Sequence, residues 1–86
     1  MTITIQSDPE NGAPLAVYFR VRKGSVSRTV EVAKDACYVD EDSGGNLLGI
    51  EMTAPGELLV YVKRVARKYS ERGLTQAFRK AQAAMA

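Results

Sequence analysis

The acids and glycines between Asp40 and Glu51 have the clearest chemical spacing in the chain. Asp40, Asp42, Gly45 and Glu51 occupy positions 1, 3, 6 and 12 of the pattern of an EF-hand calcium loop. At position 5, however, Gly44 offers no side-chain oxygen, and the preceding residues have the two-residue periodicity of strands where an EF-hand needs a helix. Acids and glycines are also typical of a hairpin turn. The sequence therefore predicts a turn without a specific calcium site, and no metal or other cofactor.

The chain offers few residues for catalysis. It has no histidine, which excludes an imidazole base, a Ser–His or Cys–His pair and a histidine metal ligand. The one cysteine, Cys37, falls on the inward side of a predicted strand. Asp40, Asp42 and Glu51, with Tyr38 on the same strand face, could form a carboxylate cluster for acid–base chemistry, but exposed carboxylates in a turn rarely have the raised pKa that it needs. We predict that the protein is not an enzyme, with this cluster as the alternative.

Basic residues concentrate in the C-terminal third. Residues 57–86 contain seven lysines and arginines against two acids, whereas residues 1–56 contain five against eight. Lys63, Arg64, Arg67 and Lys68 are candidate phosphate contacts, with Arg72, Arg79 and Lys80 in the same basic set. Residues 73–77 also look like the start of the second helix in a phage-repressor-type helix-turn-helix domain. Nucleic-acid binding is therefore an alternative function, although the sequence favours a solvated helix face.

The N-terminal part of the chain is predicted to form the strands that position some of these residues. Residues 2–6 predict a short first strand, and residues 15–22 and 25–32 predict a hairpin around a Lys23-Gly24 turn. The apolar side of this hairpin would pair Leu15 with Val32, Val17 with Val30, Phe19 with Arg28 and Val21 with Val26.

Residues 37–52 predict the next hairpin, with Ser43-Gly44 as a two-residue turn. In that register a tyrosine ring would cover a bare strand glycine. The predicted pairs are Val39 with Leu48, Cys37 with Ile50 and Tyr38 with Gly49.

After Met52 the periodicity changes from two residues to about 3.6, which predicts helices. Pro55 and Gly56 break the strand, a first helix ends at Gly73, and Thr75 caps a second one. The first apolar stripe consists of Leu58, Val62, Val65, Ala66 and Tyr69, and the second of Leu74, Ala77, Phe78, Ala81 and Met85.

These elements predict one α+β domain over residues 1–86. Residues 1–52 form an antiparallel β-meander of four or five strands, and residues 53–86 form the helical part. The first helix packs on one face of the sheet. The second, short helix docks at one edge or against a second molecule.

Several segments of residues 8–52 are similar to a known family. They are Asp8-Pro9-Glu10, residues 18–21, residues 28–32, Asp40-Glu41-Asp42 and residues 45–51. On these residues the chain resembles the domain of unknown function 2283 family of small prokaryotic proteins. The resemblance supports the fold, because the family has no established activity. Some members look like the smaller half of toxin–antitoxin gene pairs, which implies a protein partner.

The preferred functional hypothesis is a protein-interaction module. The sheet face opposite the helix is predicted to carry Tyr18, Arg20, Tyr38, Leu47 and Glu51, an amphipathic mixture that is typical of interfaces. Open edge strands and a small core both favour a homodimer or a small partner protein. The single cysteine and the lack of a signal peptide or long apolar run predict a cytoplasmic location without membrane binding.

Overall fold

The computed structural model describes residues 1–53 and 57–84, which form five strands followed by two helices. The predicted strand break at Pro55 and Gly56, and the predicted place of Met85, lie outside the described residues. The strands are β1 (Thr2–Ser7), β2 (Pro14–Arg20), β3 (Arg28–Ala33), β4 (Cys37–Glu41) and β5 (Leu47–Thr53), and the helices are α1 (Leu58–Lys68) and α2 (Leu74–Ala84).

The five strands form one antiparallel sheet in the spatial order β1-β2-β5-β4-β3. Strands β3, β4 and β5 follow one another as a meander. The chain leaves β2, crosses to the far edge to begin β3, and returns through β5 to the other side of β2. The predicted fold class is confirmed: an α+β domain with a five-stranded antiparallel sheet and two C-terminal helices.

The predicted hairpin between residues 15–22 and 25–32 is wrong, because β2 pairs with β1 and β5. In the observed pairing Val17 lies opposite Met52 and Phe19 opposite Ile50. Both pairs are buried and apolar, whereas the predicted hairpin placed an arginine opposite Phe19. Burial of apolar partners on both strands therefore outweighs the short turn.

Residues 21–27 form the connection that crosses the ends of β5 and β4. The backbone N–H of Val21 donates to the Leu48 carbonyl, and that of Ser27 donates to the Glu41 carbonyl. Gly24 does not make a hairpin turn. It allows close approach instead, since a Cβ on Gly24 would lie 2.8 Å from Cδ2 of Leu48.

The β4–β5 hairpin forms, but its predicted register is wrong by two residues. Its turn runs over residues 42–46 and includes Gly45 with a φ of 82°, so it is longer than the predicted two-residue turn. A two-residue shift preserves which side chains point inward. The observed pairs are Cys37 with Met52, Tyr38 with Glu51, Val39 with Ile50 and Asp40 with Gly49.

Both helices pack on one face of the sheet. Val62 and Val65 of α1 are fully buried, which confirms the predicted stripe, and Leu74 and Phe78 of α2 join the same core. The Phe78 ring meets Phe19 edge-on, with 5.1 Å between centroids. The second helix is therefore part of the core, close to edge strand β1.

Two predicted helix boundaries differ from the structure. Helix α1 ends at Lys68, and Ser70 adopts the positive φ, 52°, that commonly follows a helix end. Gly73, with a φ of 79°, precedes α2 instead of ending α1. Thr75 lies inside α2 and not at its cap.

Candidate interaction surfaces

The outer face of the sheet, opposite the helices, brings together four of the five predicted interaction residues. Glu51 of β5 lies between Tyr18 of β2 and Tyr38 of β4 in the strand register. Arg20 follows two residues after Tyr18 and is exposed on the same face. This face therefore presents two tyrosines with mixed charges.

Leu47 does not belong to this face, and its prediction as an interaction residue is wrong. Its side chain is 1% exposed and lies in the core between sheet and helices. The cause is an irregularity between Asp40 and Glu41, which pairs Leu47 with Glu41. A bulge of this kind changes which residues point inward, and single-strand periodicity cannot locate it.

Tyr18 spans three strands on the outer face. Its ring covers Gly49 so closely that a Cβ there would lie 2.0 Å from the hydroxyl oxygen. The hydroxyl donates to Oδ2 of Asp40 at 2.8 Å, and Thr29 of β3 donates to Oδ1 of the same carboxylate at 2.7 Å. Burial, and then the bond to Asp40, raise the pKa of Tyr18 to about 12. The aromatic cover expected for Gly49 is present, but Tyr18 supplies it instead of Tyr38.

Glu41 is a polar residue on the core side of the sheet, and no role was predicted for its side chain. It is 8% exposed, and it accepts hydrogen bonds from the Tyr69 hydroxyl and from Nε of Arg28. These two donors hold the pKa of the Glu41 carboxyl below its usual range. The contact ties the end of α1 to β4 and β3. The available signal was the alternation Cys37, Val39, Glu41, which places Glu41 inward.

The carboxylates of the calcium-like pattern are separated by the hairpin. Asp42 lies in the turn, where Oδ1 accepts the backbone N–H groups of Gly44 and Asn46, each at 2.9 Å. Asp40 is bonded to Tyr18 and Thr29 on the outer face. In the part of the chain that the structure describes, no three acidic or cysteine side chains come together as metal ligands.

Cys37 is fully buried and free, as the strand pattern predicts. Burial raises the pKa of its thiol to about 11. A thiol with this pKa is almost entirely protonated near neutral pH, and the thiolate is the reactive form. Its position is that of a small core residue.

The outward sides of the two helices form a second surface, which we call the basic layer. The layer faces away from the buried residues of both helices. Its members are all exposed: Lys63, Arg64, Arg67 and Lys68 of α1, Arg72 of the connection, and Arg79 and Lys80 of α2.

The edge of strand β1 forms a third surface, and none of its residues was among the predicted site residues. Ile5 is 45% exposed. An apolar groove of about 180 Å³ lies between β1, β2 and the two helices, and a second of about 360 Å³ lies between α2 and Met1, the residue before β1. Leu15, predicted to be inward, is 50% exposed near the start of β2. The grooves are lined by Met1, Ile3, Ile5, Val17, Leu58, Ala77, Phe78, Lys80, Ala81, Gln82 and Ala84.

Comparisons of the chain with protein-family models, curated proteins and solved structures find no match. The resemblance to the domain of unknown function 2283 family therefore stays a prediction. Neither α1 nor α2, the helices of the described segments, has the length and apolar content needed to cross a lipid bilayer.

Proposed function

We propose that this protein is a protein-interaction module that acts as a homodimer joined through strand β1. The observation that carries the proposal is the open edge of β1, which among residues 1–53 and 57–84 pairs with β2 alone. Its six residues, Thr-Ile-Thr-Ile-Gln-Ser, include no charge and no proline. Natural proteins usually protect an open edge with charges, prolines or bulges, because its free N–H and C=O groups can pair with another chain.

The opposite edge strand, β3, is protected in this way. It carries Arg28 and Glu31, and its pairing with β4 is interrupted between Glu31 and Ala33. The register of β1 is interrupted only at its end, between Gln6 and Ser7. The contrast between the two edges favours β1 as the joining strand.

Strand β1 is complementary to a second copy of itself. An antiparallel pair centred on Thr4 would place Ile3 opposite Ile5 of the second copy, and Thr2 opposite its Gln6. Ile3 and Ile5 are paired with Phe19 and Val17 of β2, so they lie on the helix side of the sheet. The Thr4-centred register would join two apolar pairs on that side and extend the sheet to ten strands.

Helix α2 fits the same dimer. Helix α2 contacts β1, and Ala77, Ala81 and Ala84 line the groove between α2 and Met1, the residue before β1. Such small side chains allow close approach. A twofold axis perpendicular to the sheet would keep the helices of both copies on one side. With α2 above β1 and β2, the two α2 axes would lie about two strand spacings apart, roughly 10 Å, which is a normal distance for packed helices.

The test uses two threonines at exposed positions on opposite edges, Thr4 of β1 and Thr29 of β3. In sedimentation equilibrium at micromolar concentration, we expect the unmodified protein to have twice the 9.4 kDa mass of the chain. Thr4→Lys should give the monomer mass with an unchanged circular dichroism spectrum, because two ammonium groups would meet at the axis. The matched control, Thr29→Lys, should remain a dimer.

A 9.4 kDa mass for the unmodified protein would overturn the homodimer. A Thr4→Lys protein that remains dimeric would refute the β1 interface. If the unmodified protein is a monomer and forms a complex with a different protein that Thr4→Lys abolishes, the partner at β1 is that protein and not a second copy. The toxin–antitoxin resemblance implies a protein partner of some kind.

A further inference from the structure

The positive charge of the basic layer has little compensation within the chain. Only Glu57 and Glu71 are acidic in the described helical part. Oε1 of Glu71 forms a salt bridge of 2.7 Å with Nη2 of Arg22, which lies in the β2–β3 connection. Across residues 1–53 and 57–84, the salt bridges are Arg22–Glu71 and Arg28–Glu41. No cation of the basic layer takes part in either of them.

The arrangement of these cations works against the helix that carries them. Lys63 and Arg67, and likewise Arg64 and Lys68, are like charges at i and i+4, a spacing that destabilises a helix. Arg67 and Lys68 gain from the negative end of the helix dipole, since they lie in the last turn of α1. Lys63 and Arg64 lie outside that turn and lack this compensation. An anionic partner would relieve the repulsion.

We propose that the basic layer binds the phosphate backbone of double-stranded nucleic acid. The cations of α1 and α2 lie on one exposed side of the molecule, so several can meet neighbouring phosphates. An anionic membrane fits less well, because both helices bury their apolar sides against the sheet and Val60 is the one large apolar side chain of the described helices that is strongly exposed. Membrane-surface helices instead insert an apolar face.

The proposed homodimer would extend this surface, and this step alone rests on the proposed function. The twofold axis places both basic layers on the same side of the ten-stranded sheet. Four helices in one row, each about 10 Å from the next, would put the two α1 axes roughly 30 Å apart. This separation is close to one turn of a DNA duplex, about 34 Å.

The test compares two double variants with the same loss of charge. Lys63→Gln with Lys68→Gln alters the basic layer, and Lys23→Gln with Lys34→Gln removes two exposed lysines elsewhere. Binding is measured by fluorescence anisotropy with a labelled mixed-sequence duplex of about two helical turns, from about 50 to about 200 mM salt. Vesicles rich in phosphatidylserine provide the comparison surface at the same salt.

We expect the basic-layer double variant to lose affinity on the order of tenfold to a hundredfold. Its log–log salt slope should fall by about two for each protomer that contacts the duplex, since each phosphate contact releases roughly 0.9 of a counterion. The control variant should retain the slope. Changing Lys63, Arg64, Arg67 and Lys68 together to glutamine should abolish binding.

Equal losses in the two double variants, or no duplex binding at about 50 mM salt, would refute the phosphate site. Equally tight binding to the vesicles would replace nucleic acid by anionic surfaces in general. The mass and the duplex binding of the unmodified protein, measured together, separate the two proposals. If the unmodified protein is a monomer and binds duplex through the basic layer, the homodimer is refuted and the phosphate site is not. If the unmodified protein is a dimer that does not bind duplex, the phosphate site is refuted and the homodimer is not.

Discussion

Replacing Gly49 by alanine tests the outer-face contact between β2 and β4. The new methyl group would occupy the place of the Tyr18 ring, since a Cβ lies 2.0 Å from the hydroxyl oxygen and 2.3 Å from Cζ. The backbone of β5 is held in place, because it is hydrogen-bonded to β2 on one side and to β4 on the other. Tyr18 must therefore swing away, and its hydroxyl loses the 2.8 Å hydrogen bond to Asp40.

Two opposing effects determine the change in the free energy of unfolding. A hydrogen bond to a charged group contributes about 1.5–3 kcal/mol, and the lower value applies here because Tyr18 is only half-buried. Alanine in place of glycine in a strand gains roughly 0.5–1 kcal/mol. Loss of ring packing adds to the cost. We expect Gly49→Ala to destabilise the protein by about 1 kcal/mol, or about 4–8 °C in Tm for a domain of this size.

A double-mutant cycle with Tyr18→Ala isolates the clash. In the Tyr18→Ala background the methyl group meets no ring, so Gly49→Ala should stabilise by about 0.5–1 kcal/mol. The coupling energy should therefore be about 1.5–2 kcal/mol. Urea denaturation at one fixed protein concentration measures all four proteins, because dimer stability depends on concentration. Tyr18→Phe separates the hydroxyl from the ring. An equal change in the free energy of unfolding by Gly49→Ala in the unmodified and Tyr18→Ala proteins would refute the proposed clash.

Val62→Asp should unfold the protein, because an unpaired carboxylate in a fully buried position costs several kcal/mol. Lys63→Asp should be tolerated, because Lys63 is on the exposed side of the helix. Thermal melts compare the two variants, and a lower melting temperature for Lys63→Asp would mean that the assigned buried face of α1 is wrong. Burial raises the pKa of Tyr18 from 10.0 to about 12, so folding favours the neutral phenol over the phenolate. The resulting contribution to the free energy of unfolding is fully present below pH 10 and is lost between pH 10 and about 12. Tyr18→Phe should reduce the alkaline loss of stability in urea denaturation, although the raised pKa of the Cys37 thiol contributes a loss of its own, and an unchanged profile would contradict the assignment. Calcium should not bind at Asp42, and a calorimetric affinity tighter than about 0.1 mM would show otherwise. Tyr38→Ala should leave the dimer mass unchanged, whereas a monomer would place the interface on the outer face.

Local patterns were sufficient for much of the fold. Alternation along β2 and β4 correctly assigns Val17, Phe19, Cys37 and Val39 to the core, and the helical stripe correctly places Val62 and Val65. The outward positions of the four basic residues of α1 follow from the same stripe. These assignments hold because side-chain direction in a strand or helix depends on the local backbone period.

Strand pairing was harder to predict because it depends on distant partners. The turn residues Lys23-Gly24 favoured a local hairpin, but β2 instead places Val17 and Phe19 opposite buried apolar residues of β5. Gly24 lies close to Leu48 in the connection that crosses to β3. The irregularity after Asp40 likewise placed Leu47 in the core and removed it from the predicted interaction residues.

The amino-acid sequence by itself determined the α+β class, the inward and outward sides of most elements, and the concentration of basic charge in the helical part. Only the tertiary structure decided that Tyr18 covers Gly49, that Glu41 ties the end of α1 to the sheet, and that uncharged β1 is an open edge beside the alanines of α2. The physical reason is the range of the interactions. Side-chain periodicity acts over a few residues, whereas the position of each strand in the sheet depends on competition among pairings distant in sequence.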